Sequence, residues 1–347
     1  LCYDPFPHGS RRRAHDRFRE RESLKLVVSV DVEEEGLFTG RYVPGDAPVS
    51  NVRRLLDLDP MFRDLGIRPT LLVTYQVARH SGHRAMLAEV AQRWKAEIGA
   101  HLHPWNTPPL DGSPQGELTP SEGVPQEVLA AKLQALGDAL RPLCGQPLSF
   151  RMGRFDMGPR MFSVLERGRI RVDSSIAPLR KKPGGPDHLS APVDPYYPSQ
   201  GNPCSAGVSH VLEAPLTIVP LVPWLGAFLE RLVGRRALPV SWISWFAMHL
   251  GSLPAQPAWT GLRRLKAAAR LHKRRDGQVL TLFFHSSELL PGGSPGHLTQ
   301  AQVDRFLGRL AAFLGWLIAD LGLEPATLSE VRDLYPAQGA LAAENAR

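Results

Sequence analysis

Apolar positions along this chain fall into two recurring patterns. Residues 24–32 (LKLVVSVDV), 69–75 (PTLLVTY), 96–103 (AEIGAHLH) and 278–285 (QVLTLFFH) are short, nearly continuous apolar runs. Such runs suit strands buried on both faces, which belong to parallel sheets. Between them lie stretches with apolar residues every three or four positions: 51–65, 83–94, 125–143, 159–167 and a long one from 299 to 321. In 125–143, Leu129, Leu133, Leu136 and Leu140 line one side, as a helix packed on a core requires. Shorter strand-like segments, LSFRMG (148–153) and IRVDSS (170–175), continue the alternation, and VSHVLEAPLTIV (208–219) fits one strand or two. Strands alternating with helices over roughly 310 residues predict an α/β fold with a parallel sheet, and the number of units suits a barrel. In such barrels the chemistry collects at the carboxyl ends of the strands.

The same pattern divides the chain. Residues 1–23 read as a flexible basic tail, 24–335 as the barrel and 336–347 as a second tail. An apolar and basic insert over 222–275 interrupts the alternation. Within it, residues 237–262 carry no Asp, Glu, Lys or Arg, but Pro239, Pro254 and Pro257 break the run into pieces too short to span a bilayer. A buried or interfacial segment is expected there.

Composition narrows the classes. With 347 residues, 43% hydrophobic and 22% charged, the chain can bury a large core. Cys2, Cys144 and Cys204 are widely spaced and form no CxxC pair, which excludes a disulfide framework and a cysteine-based zinc site. The net charge of +7 sits largely in residues 11–21 and 263–275. Neither run is interleaved with aromatics as a base-stacking surface would be, so nucleic acid is not the expected partner. Solvated arginine-rich faces are the first reading, an anionic membrane surface or acidic polymer the second. The first 25 residues lack the apolar segment of a secretory leader. A cytoplasmic protein is expected, with peripheral contact at the inner face of a membrane as the extended form of that reading.

Three strand ends carry candidate chemistry. In SVDVEEEG, Asp31 and Glu33 lie two apart, so a strand presents both carboxylates on one face. Acids ending an apolar strand are costly to bury unless paired, metal-bound or solvated in a cleft. Glu34 and Glu35 equally suit a strand running out into a polar loop. In EIGAHLHPW, His101 and His103 repeat the spacing, with Cα atoms about 6 to 7 Å apart at the usual strand rise, which lets two imidazoles converge on one ion. Nitrogen and oxygen donors without thiolate suit zinc, with cobalt, manganese or iron as alternatives. In LTLFFHSSEL, His285 follows an apolar run and is placed to give or take a proton. Arg151, Arg154 and Asp173 end further strands and Glu213 another. Trp105, beside the histidines, suits either stacking on a sugar ring or a place in the core.

Taken in order, the acidic strand end, EIGAHLHPW, FRMGRF, VDSS and LFFHSSEL resemble the successive motifs of the polysaccharide deacetylase (NodB-like, carbohydrate esterase family 4) superfamily over residues 24–335. HLHPWNTPP and FFHSSELLPGGSP are similar to a bacterial subgroup of uncharacterised or cell-envelope sugar deacetylases. The resemblance implies a distorted (β/α) barrel of about seven parallel strands, a single divalent metal, usually zinc, and hydrolysis of an N- or O-acetyl group on a sugar, glycan or glycolipid. It implies that Asp31 is the general base, that Glu33, His101 and His103 bind the metal, that Arg151 orients Asp31, and that His285 is the general acid with Asp173 as its partner. Trp105, Arg154 and Glu213 are assigned to substrate contact. The family pattern departs from this chain in two places. It has adjacent aspartates where Val32 here separates Asp31 from Glu33, and histidines four apart where Trp105 here stands four beyond His101; His103 as second ligand therefore rests on strand geometry. An amidohydrolase-type barrel, or a non-catalytic sugar-binding barrel, are the alternative readings.

Overall fold

The computed structural model describes residues 23–335 apart from 41, 43–44, 111–119, 182–183 and 236–237. The two expected terminal tails therefore lie outside the described residues, Ser23 aside.

Strand β1 (Lys25–Val32) is the axis of the sheet. It pairs in parallel with β2 (Thr70–Val73) on one side and on the other with β11 (Val279–His285) and, at its start, β12 (Glu324–Ala326). From β2 the sheet continues through β3 (Glu97–Leu102), β4 (Ser149–Met152), β5 (Val172–Asp173) and β8 (Leu212–Glu213). All these pairings are parallel. Two antiparallel pairs stand apart from the main sheet: β6 (Pro198–Ser199) with β7 (Asn202–Ala206), and β9 (Ile218–Pro220) with β10 (Ser252–Pro254). The expected distorted barrel of parallel strands is what the chain forms.

A period of two sorts each strand into an outward and an inward face. Along β1, Leu26, Val28, Val30 and Val32 join the core beneath the helices, while Val27 packs inside with Leu72, Val172, Leu212 and Val279. Ser29 and Asp31 share the parity of Val27 and so face inward. The same rule sends Ile98, Ala100 and Leu102 outward and His101 inward on β3. On β4 it sends Phe150 and Met152 outward and Arg151 inward. Register then aligns the inward residues across strands: Asp31 opposite His285, His101 opposite Arg151.

Helices cover the outside: α1 (Asp59–Asp64), α2 (Tyr75–Ala78), α3 (Ser81–Trp94), α4 (Gln126–Cys144) and α5 (Pro159–Arg167) in the first half. On α4, Leu129, Leu136 and Leu140 are buried and Leu133 is partly so, as their spacing predicts. In the insert, α6 (Leu225–Gly234) and α7 (Val240–His249) lie between β9 and β10, and α8 (Leu262–Arg274) follows. Here the apolar run is divided near its prolines. Two late helices, α9 (Gln300–Ala319) and α10 (Leu328–Leu334), complete the fold. Among the described residues, no helix is long and apolar enough to cross a membrane.

Several expected elements differ in extent. The segment 51–65 forms a 3-10 stretch (Ser50–Leu58) before α1. IRVDSS contributes only two paired residues, and VSHVLEAPLTIV becomes two short strands separated by Pro215. Proline cannot donate to a ladder, which explains the break.

Candidate functional site

Glu33 lies just beyond β1 and His103 just beyond β3, and both continue the inward parity of Asp31 and His101. Together with His101 they form a buried group whose ligand atoms all lie within 4.8 Å of one another. Glu33 Oε2 is 3.4 Å from Nε2 of each histidine, and the two Nε2 atoms are 3.1 Å apart.

The far nitrogens explain why these atoms converge. His101 Nδ1 lies 3.0 Å from the Arg151 carbonyl, so it donates there. His103 Nδ1 lies 2.7 Å from Glu34 Oε1. In their neutral Nδ1–H forms the two imidazoles would each present an Nε2 lone pair, so that two lone pairs and a carboxylate oxygen would face one point. That arrangement repels itself unless a positive charge sits among them. Burial opposes the His103 imidazolium, yet the Glu34 and Glu33 carboxylates outweigh it and raise its pKa to about 10. Burial likewise opposes ionised Glu33, but His285, His101 and His103 hold its carboxyl far below the usual range. The donor set therefore fits a divalent cation, with outer partners of the kind that orient metal-ligating histidines.

Asp31 is held from behind. Its Oδ1 accepts from Arg151 Nη1 at 2.6 Å, while Oδ2 lies 3.9 Å from both His101 Nε2 and His285 Nε2. Arg151 is wholly buried and fully engaged: Nε donates to Ser174 O, and Nη2 to Ser29 Oγ and Ser174 Oγ. Its guanidinium also lies over the rings of Phe155 and Phe283. The expected orienting contact to Asp31 is present.

His285 stands across the site, with Nε2 4.0 Å from Glu33 Oε1 and Nδ1 3.4 Å from Glu288 Oε2. Glu288 Oε2 also accepts from the His285 backbone N–H at 2.9 Å, which fixes the carboxylate beside the ring. Burial disfavours the imidazolium, but Glu33, Glu288 and Asp31 raise its pKa to about 9.

Two expected roles, those of Asp173 and Glu213, are corrected. Asp173 does not pair with His285; it accepts from Ser175 Oγ and lies beside Glu213, its register partner. Asp173 aligns with outward-facing Phe150, so it points away from the interior, whereas the next residue, Ser174, points in and meets Arg151. Glu213 has the same outward parity and is fully buried, beyond reach of substrate hydroxyls. Burial, reinforced by Asp173, pushes its carboxyl well above the usual range, so this acid pair retains a proton. Trp105 stacks on His103 with centroids 4.2 Å apart, which occupies one ring face, and meets Tyr42 edge-on. Arg154 lies over the Tyr42 ring at this rim.

Sequence reasoning missed Glu34 and Glu288 as partners of the histidines. Glu34 is buried and accepts from Asn106 Nδ2 and Thr74 Oγ1 as well as His103. Asn51 and Ser286 also went unnoticed; Asn51 Nδ2 donates to Glu33 O, and Ser286 Oγ accepts from Glu33 N. For Glu288 a signal existed, a carboxylate three residues after a strand-end histidine.

No family model matches the chain, and no curated protein matches it. Solved structures do. A protein described as a polysaccharide deacetylase from Mycobacterium smegmatis superposes with a TM-score of 0.54 at 17% identity, covering 92% of this chain and 93% of the other. One described as a glycoside hydrolase/deacetylase from Parabacteroides distasonis gives 0.59 at 13% identity, covering 91% and 72%. A 4-alpha-glucanotransferase from Thermococcus litoralis gives 0.54 at 12% identity, covering 91% of this chain and 41% of that one. The chain thus shares its fold with proteins described as deacetylases and with a transferase, so the site must decide the chemistry.

Proposed function

We propose that this chain is a metal-dependent hydrolase that removes an N- or O-linked acetyl group from a sugar or glycan. The observation that carries the reading is the convergence of Glu33, His101 and His103 on one point, with the free oxygen of Asp31 and Nε2 of His285 on its flanks.

Glu33 Oε2 and Nε2 of both histidines would hold the ion, and nitrogen and oxygen donors favour zinc over harder cations. When bound, a divalent cation supplies Lewis acidity, which polarises an acyl carbonyl and acidifies water. Asp31 Oδ2 is the available base: Arg151 holds Oδ1, which leaves Oδ2 to accept a proton from the attacking water. His285, whose pKa the neighbouring Glu33, Glu288 and Asp31 carboxylates raise, is placed to donate to the departing amine or alkoxide. Burial of the three ligands limits the water that competes for these charges. At the rim, Phe38 lies perpendicular to His285 and Tyr42 lies at a steep angle to Trp105, which places aromatic rings beside the site. Polysaccharide deacetylase neighbours on the same fold support an acetylated carbohydrate as substrate.

Metal analysis of the purified full chain, together with acetate release from a panel of acetylated glycans, tests the reading. The expected result is about one zinc-like ion per chain, lost in His101→Ala. Asp31→Asn should keep the ion and lose activity by about 10² to 10⁴. Full metal occupancy in His101→Ala, or no acetate from any glycan, would overturn it.

A further inference from the structure

Helices α6 and α7 break the rule for surface helices. Their inner faces bury Leu225, Leu229, Ile243 and Ala247 against Leu189, Leu216, Ile218 and Phe283. A surface helix should then turn polar residues outward. Instead the outward positions hold Trp224 (61% exposed), Phe228, Trp242 (67%), Trp245 (50%) and Phe246, with Leu221 and Leu250 (57%) at the edges. Trp224 meets Phe228 edge-on, Trp242 meets Trp245, and Trp245 stacks on His249, so the rings form clusters rather than scattered residues. Exposed apolar patches of this kind mark interaction sites.

Arginines border these clusters. Arg231 on α6 and Arg235 just after its end are exposed. Arg264 donates from Nη2 to His249 O at the end of α7, and Arg275 donates to Pro220 O and Leu221 O at the opposite edge. Within α6 and α7 themselves the only acid is Glu230.

We propose that this face docks on an anionic lipid bilayer. Tryptophans at headgroup depth with arginines meeting lipid phosphates are the chemistry of an interfacial anchor. A second copy of the chain fits less well, because a symmetric contact through this face would bring both sets of arginines together. The anchor lies close to the candidate acid: Phe283, buried under α6 and α7, is edge-on to His285 with centroids 5.2 Å apart. The proposal is independent of the deacetylase reading, since it concerns a surface the catalytic residues do not use.

The test is sedimentation of the full chain with vesicles of phosphatidylcholine alone or with a minor share of phosphatidylglycerol, at low and high salt. Binding to the anionic vesicles should exceed that to the neutral ones by about tenfold or more and weaken with salt. Trp242→Ser combined with Trp245→Ser should lower it by about tenfold, with the thermal melt unchanged, because both rings are solvent-exposed. Four results would overturn the proposal: no binding to anionic vesicles at low salt; equal binding to both compositions; undiminished binding by the double variant, which would move the contact to another basic segment; or a dimer that the double variant abolishes while vesicles are ignored.

Discussion

His285 is half-buried among carboxylates, and which of them governs it decides its pH behaviour. Glu33 and Asp31 face Nε2, whereas Glu288 faces Nδ1 and is tied to the same residue's backbone. An acid catalyst works while it holds its proton and fails as pH rises through its pKa. Replacing Glu288 by Gln removes one charge that raises that pKa, so the alkaline limb of the pH–rate profile should move to lower pH while turnover on the acid side persists. Asp173→Asn should leave the limb in place, since Asp173 points outward to Glu213. Measuring both profiles separates the two; a limb that moves with Asp173→Asn and stays with Glu288→Gln would restore the original pairing. The error with Asp173 has a physical source. Asp31, Glu33, His101 and His103 were legible because a period of two fixes which side chains share a face within a single strand. Asp173 closes a strand of two paired residues, too short to show its phase, and only the register with β4 reveals that Ser174 rather than Asp173 faces the site. Glu34 looked like a loop acid because nothing local shows that His103 will come to lie against it.

At the scale of elements, the turn after β4 shapes the site through a missing side chain. A Cβ added to Gly153 would lie 2.5 Å from His103 Cδ2 and 2.8 Å from Leu102 O. The carbonyl belongs to the β3 strand and cannot yield cheaply, so the imidazole must move. Gly153→Ala should therefore weaken metal affinity by about 10- to 100-fold, as loss of support behind a ligand does, with a stability loss of about 1 to 3 kcal/mol from overpacking. Calorimetric zinc titration beside a denaturant melt checks this; unchanged affinity would mean that His103 has room to spare. Lys132 on α4 serves the loop that follows His103, donating to the carbonyls of Thr107 and Pro109. Long elements were readable in advance: β1, β11, α4 and α9 each hold enough periods for the apolar pattern to declare itself. Strand β12 (EPA) was not seen, because it pairs through three residues, one of them proline, and its placement depends on β1.

The whole molecule poses a closure problem that its sequence pattern does not announce. Among the described residues the ladder runs from β11 through β1 to β8, and no strand pairing joins β8 back to β11. The outer edge of β11 would then leave buried amides unsatisfied, at a cost of about 1 to 3 kcal/mol each. Side chains from beyond β8 fill the gap. Thr217 N donates to Thr281 O at 3.0 Å while Thr217 Oγ1 accepts from Thr281 N at 2.9 Å, and Gln256 Oε1 accepts from Phe283 N at 3.0 Å. Gln256 follows β10, so the insert supplies part of the barrel's seam as well as its exposed aromatic face. Thr217→Val keeps the shape and the backbone donor and removes one acceptor. It should cost about 1 to 3 kcal/mol in a denaturant melt, because the Thr281 amide is left buried without a partner. Zinc affinity should not change, since Glu33, His101 and His103 sit at the ends of β1 and β3, whose neighbours β2 and β4 remain paired. If the variant were as stable as the parent, the Thr281 amide would have another acceptor or access to water, and the seam would be closed by packing of Thr217, Leu216 and Ile218 rather than by hydrogen bonds.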